Sequence, residues 1–126
     1  MKPSRLPSLC VSAVLTLVAV SCGKKETSAD ATKALQQSFN TAEPEVRQAI
    51  QVVNTHLQAR DYTAAAKALA PVVLQHRLTQ PEAQAVGVAL QQLNQAIAAD
   101  RSLDTKEMYE LRAKMSQAVH TSGSRF

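Results

Sequence analysis

An all-α fold of two antiparallel helical hairpins, four helices in all, is expected from three observations. The 126 residues include 21 Ala and 12 Gln, which suit helices far better than strands, and only 3% of the chain is aromatic. Apolar residues recur at intervals of four, three and four from residue 46 onward, the spacing that lines one face of an α-helix. Thr, Asp and Pro also stand where helix starts use them. The length allows one small domain, since domains usually run to about 100 to 200 residues.

Residues 1–21 are set apart from this pattern. Lys2 and Arg5 precede residues 9–20, an uncharged stretch rich in Leu, Val and Ala, and small residues follow it. A basic start, a short apolar run and small residues at its end describe a secretory signal peptide, because a spanning helix needs about 20 apolar residues. The junction Ala19-Val20-Ser21-Cys22 resembles the lipobox of bacterial lipoproteins. That resemblance implies cleavage before Cys22 and acylation of its sulfur, hence stable attachment to a bilayer, since more than one acyl chain is needed to hold a protein there. By the same resemblance Gly23, in the place where Asp favours retention in the inner membrane, points to the outer membrane.

Cys10 lies in the removed segment and Cys22 would carry lipid, so no thiol and no disulfide would remain in the mature domain. Cleavage would also remove two of the four surplus positive charges. What is left is close to neutral, and nucleic-acid binding loses its main argument.

Residues 22–40 form the lipidated Cys, a polar tether and a possible short helix. Residues 23–29 are small or polar, as a solvated linker requires. Lys24 and Lys25 would either touch anionic headgroups or keep the linker wet. Asp30 could cap a short helix in which Leu35 and Phe39 share a face.

The helical domain is expected over residues 41–120, followed by a flexible tail at 121–126. Val46, Ile50, Val53 and Leu57 mark a first helix over about 43–59, opened by Pro44, while Gln48, Gln51, Asn54 and Gln58 fall on its other side. Asp61 caps a second, with Tyr62, Ala65, Ala66, Leu69 and Val73 marking its apolar face; at Pro71 this helix either kinks or stops near Ala70 and resumes as a short turn. Thr79 with Glu82 has capping-box spacing and opens a third, carrying Val86, Leu90, Leu93 and Ile97. Asp104 with Glu107 repeats that spacing ahead of Met108, Leu111, Met115 and Val119.

A shift of 40 positions lays the first apolar face on the third, and a shift of 42 lays Leu69 and Val73 on Leu111 and Met115. Duplication of one hairpin, or the shared spacing of any two amphipathic helices, would produce this match, and both give the same core. The stretch Ala59-Arg60-Asp61-Tyr62-Thr63-Ala64-Ala65 resembles the turn and second-helix start of a tetratricopeptide repeat (TPR), with Asp61, Tyr62 and Ala65 in matching places and Arg60 where the family has Gly. The whole chain is similar to the small lipoproteins found in bacterial genomes. That likeness implies no activity; the TPR resemblance implies a TPR-like hairpin and a role in protein binding.

Chemistry leaves little mark. His56, His76 and His120 are each 20 or more positions apart, with no second ligand at helical spacing, so a metal site is not expected and solvated or helix-end roles are. No Gly-x-Ser-x-Gly elbow and no phosphate-cradling Gly-rich loop occurs. Glu107 and Glu110 fit an exposed, charge-laced face with Lys106 and Lys114. Gly87 inside the third helix would be explained by close packing against a neighbour.

The expectation is a lipid-anchored, non-enzymatic helical module of the bacterial cell envelope that faces the periplasm and binds an envelope protein. No cofactor, metal or nucleic acid is called for. Tyr62 and Tyr109 are the candidate contacts, since tyrosine joins large area to a polar tip, with a core-facing place the stronger expectation for Tyr62. The alternative is a small carrier opening around an apolar ligand between Leu57, Leu69, Leu90 and Leu93.

Overall fold

A computed structural model describes residues 30–123 as five α-helices without a strand: α1 (Ala31–Ser38), α2 (Pro44–Gln58), α3 (Tyr62–Gln75), α4 (Gln80–Ala99) and α5 (Lys106–Gly123). One turn of 3₁₀ helix, Arg101–Leu103, joins the last two. The apolar leader, the lipobox with Cys22, the tether and residues 124–126 lie outside the described residues. Among those described, no helix is long and apolar enough to cross a membrane.

Short polar side chains fix most of the helix starts. Asp30 accepts the Lys33 N–H at 3.3 Å, Asp61 the Ala64 N–H at 3.2 Å and Thr79 Oγ1 the Glu82 N–H at 3.3 Å. Glu82 Oε1 accepts the Thr79 N–H in return at 2.8 Å, which completes the expected capping box. The expected start at Asp104 is one residue early. Thr105 Oγ1 accepts the Met108 N–H at 3.1 Å, and the Thr105 carbonyl takes the first helical bond, from Tyr109. Asp104 belongs to the 3₁₀ turn instead, where its carboxylate meets Arg112 at 3.5 Å and Arg101 at 3.9 Å.

One of the two alternatives at Pro71 is excluded, and the expectation for Gly87 is corrected. Helix α3 does not stop near Ala70 but runs unbroken through Pro71 to Gln75. Pro71 and Lys67, the residue whose carbonyl loses its N–H partner, are both exposed and four apart on one face. Water can therefore satisfy that carbonyl. Gly87 is not explained by close approach, because a Cβ placed on it would meet nothing within 4 Å.

The turn between α2 and α3 is closed by two backbone bonds, Asp61 N–H to the His56 carbonyl at 2.9 Å and Arg60 N–H to the Leu57 carbonyl at 3.1 Å. This is the Schellman pattern, which needs a left-handed residue just past the helix. Arg60 supplies it with φ of 61°, in the position where the TPR-like turn would have Gly.

The expected apolar faces form one core. Ile50, Val53 and Leu57 of α2, Ala65, Ala66, Leu69 and Val73 of α3, Val86, Leu90, Leu93 and Ile97 of α4, and Met108 and Met115 of α5 are all buried. Val46, Leu111 and Val119 are partly buried against them. Helix α1 belongs fully to this core: Ala31, Leu35 and Phe39 are at most 1% exposed. It packs on both α2 and α4, whereas α2 packs on α3, α3 on α5, and α4 on α5. Polar links tie the same pairs. Asn54 Nδ2 donates to the Thr32 carbonyl at 3.2 Å, the Ala31 N–H donates to Gln92 Oε1 at 3.2 Å, Lys67 meets Glu107 at 3.4 Å and Arg112 donates to Asn94 Oδ1 at 2.6 Å.

Candidate functional site

A groove of about 600 Å³ runs between α1 and α2. Its base is apolar, formed by Phe39 and Ile50 at 1% and 2% exposure. Its walls are polar: α1 contributes Thr32, Lys33 and Gln36, with Asn40 just past its end, and α2 contributes Arg47, Gln51, Asn54, Thr55 and Gln58. The two helices pass in opposite directions here, since Asn54 late in α2 bonds to Thr32 early in α1, while the connection that follows Phe39 leads straight into α2. Lys33 and Arg47 therefore stand toward opposite ends and on opposite walls.

Local sequence dictates this lining. The face of α2 opposite to Val46, Val53 and Leu57 is written in carboxamides, and burying Leu35 and Phe39 turns Lys33, Gln36 and Asn40 toward it. No carboxylate lines the groove, and neither Lys33 nor Arg47 has an ion-pair partner among the described residues. Asn54 Oδ1 is buried and accepts no hydrogen bond there, although Nδ2 of the same side chain is paired. A buried acceptor without a donor is a cost to the fold, and with almost no accessible surface this atom is closed to a ligand in the groove.

The only buried carboxylate among the described residues is elsewhere, at the joint of α3, α4 and α1. Glu82 is 4% exposed and its Oε1 lies 3.2 Å from His76 Nε2. The His76 ring also faces Phe39, with centroids 6.1 Å apart. His76 ends α3 and Glu82 caps α4, so the pair fastens one helix end to the next start. Sequence reasoning placed His76 at a helix end but missed this partner, six positions away across the turn at Arg77 and Leu78.

The candidate tyrosines take different places. Tyr62 is half-buried against the core at the start of α3. Tyr109 is 64% exposed and borders a shallow depression between α4 and α5, with Leu90, Asn94 and Arg112. Neither lines the α1–α2 groove. Leu57, Leu69, Leu90 and Leu93, the expected lining of an apolar-ligand carrier, are buried at 9% exposure or less. Among the described residues no three His, Cys, Asp or Glu side chains gather as a metal-ligating group.

Two exposed carboxylates are held below the usual range. Asp30 is lowered chiefly by the Thr32 hydroxyl at 2.6 Å, then by the Lys33 N–H. Asp100 is lowered by the Ser102 hydroxyl at 2.7 Å, then by the Ser102 N–H. Both act as helix caps.

Fold and groove together define a class, an all-α bundle with a cationic, carboxamide-lined cleft on one side. No protein-family model, curated protein or solved structure matches the chain.

Proposed function

We propose that the chain is a lipid-anchored, extracytoplasmic helical module that binds another protein of the bacterial cell envelope. The observation that carries this reading is the order of Ala19-Val20-Ser21-Cys22, a short polar tether and then a helical domain whose core begins at Ala31. The eight residue steps from Cys22 to Asp30 span at most about 28 Å when fully extended, so an acylated Cys22 would hold the domain close to the bilayer surface. Outer-membrane attachment facing the periplasm follows from Gly23 by the same resemblance.

In this reading the α2–α3 and α4–α5 pairs are TPR-like antiparallel hairpins, supported by the Schellman turn at Arg60, the Asp61 cap and the burial of Ala65. Binding is by surface recognition without catalysis, and Tyr109 offers an exposed aromatic for it. A photo-crosslinking residue at Tyr109 or Gln51 in the native host, followed by mass spectrometry, tests the interaction. A discrete envelope protein captured from either position is the expected result. Capture from neither, with the chain at its normal level, contradicts it.

A further inference from the structure

We infer that the α1–α2 groove binds an extended peptide segment carrying acidic residues; the inference rests on the reading of the chain as a protein-binding module and names the chemistry of the partner. Charge gives the sign. Lys33 and Arg47 are exposed, have no ion-pair partner among the described residues and share a groove that no carboxylate enters. The Asp30 carboxylate, which Lys33 helps to hold ionised, offsets part of one charge, and the two cations still leave the carboxylate-free lining of the groove positive and attractive to an anion.

The carboxamides give the form of the ligand. Gln51, Asn54 and Gln58 stand three and four apart along α2, and Gln36 and Asn40 four apart beside α1. Each carboxamide carries a donor and an acceptor, as each peptide unit does, so facing rows of them pair with a main chain of any sequence.

Length is also consistent. From Lys33 to Asn40, beside which Arg47 stands, the groove follows seven residues of helical rise, about 10 Å. An extended chain covers that in about three residues. Side chains three apart in an extended segment point to opposite sides, and Lys33 and Arg47 stand on opposite walls. Two acidic residues three apart would therefore reach both cations.

The test uses the full chain purified from membranes in detergent, probed with a randomised octapeptide library. The expected result is enrichment of sequences with Asp or Glu, and binding of the best of them about tenfold weaker to the doubly substituted Lys33→Glu, Arg47→Glu chain, as two exposed ion pairs allow. The same variant should select Lys and Arg in place of acids, a reversal that an unfolded variant could not produce. Enrichment without an acidic excess, an unchanged preference in the variant, or binding only to an anionic glycan such as polygalacturonate overturns the inference. In each of those cases a partner crosslinked at Tyr109 would leave the wider binding reading standing, whereas loss of all crosslinks would remove that reading instead.

Discussion

Glu82 and His76 meet at 3.2 Å across the turn between α3 and α4, and the same carboxylate accepts the Thr79 N–H at 2.8 Å. One side chain thus closes the capping box of α4 and holds the end of α3. Because Glu82 is 4% exposed, its oxygens have little water to fall back on if either donor is removed.

Glu82→Ala should therefore cost about 2 kcal/mol of stability, the sum of a lost cap and a lost charge-assisted bond. His76→Ala should cost less. Urea unfolding of both single variants and the double variant measures the coupling. A double variant whose loss equals the sum of the two single losses would mean that the pair does not interact.

Phe39→Ala should cost about 3 to 4 kcal/mol, because Phe39 is 1% exposed and packs in the common core. Such a loss would place α1 in the cooperative unit. A loss below about 1 kcal/mol in thermal or urea unfolding would instead make α1 a loosely attached arm.

Arg60→Gly should stabilise the chain by about 1 kcal/mol, since φ of 61° costs an arginine what it does not cost a glycine. Gly87→Ala should stabilise it by about as much for a different reason: the helix gains propensity and the added Cβ meets nothing within 4 Å. The sites lie in different helix pairs and share no partner, so the two gains should add. A fall in the melting temperature of either variant would contradict the local geometry described for it.

Acid should weaken the fold through the helix caps. Asp30 and Asp100 titrate below the ordinary value of 3.8 when folded, so each contributes stability that is present above the unfolded value and is lost as pH falls through the folded one. Unfolding free energy measured from pH 5 down to pH 2 should fall with a slope that Asp30→Asn and Asp100→Asn both flatten. An unchanged slope in the double variant would show that these caps do not carry the effect.

Much of the bundle is legible in the sequence because its core positions follow a strict helical period. Val53, Leu69, Leu93 and Met115 needed no tertiary information to be placed inside. Capping was legible where side chain and spacing agree, as at Thr79 and Glu82. It misled at Asp104, where two adjacent residues could each cap and the 3₁₀ turn consumed the first. Pro71 was hard to judge from sequence because its cost depends on whether the freed carbonyl faces water, which only the packing of α3 decides. Half of the groove could be read in advance: Gln51, Asn54 and Gln58 lie on the polar side of α2. The other half could not. Nothing local states that α1 lays Lys33 and Gln36 opposite that row, since its packing on both α2 and α4 is a long-range consequence of burying Leu35 and Phe39. The His76–Glu82 pair was hidden for the same reason.

Membrane attachment through Cys22 is tested most directly by the intact mass of the chain purified from its native host. The expected mass is that of residues 22–126 plus a diacylglyceryl group, recovered from the membrane fraction, with neither lipid nor membrane association in the Cys22→Ser variant. A soluble product that still begins at Met1 and carries no lipid would contradict the anchoring on which the proposed function depends.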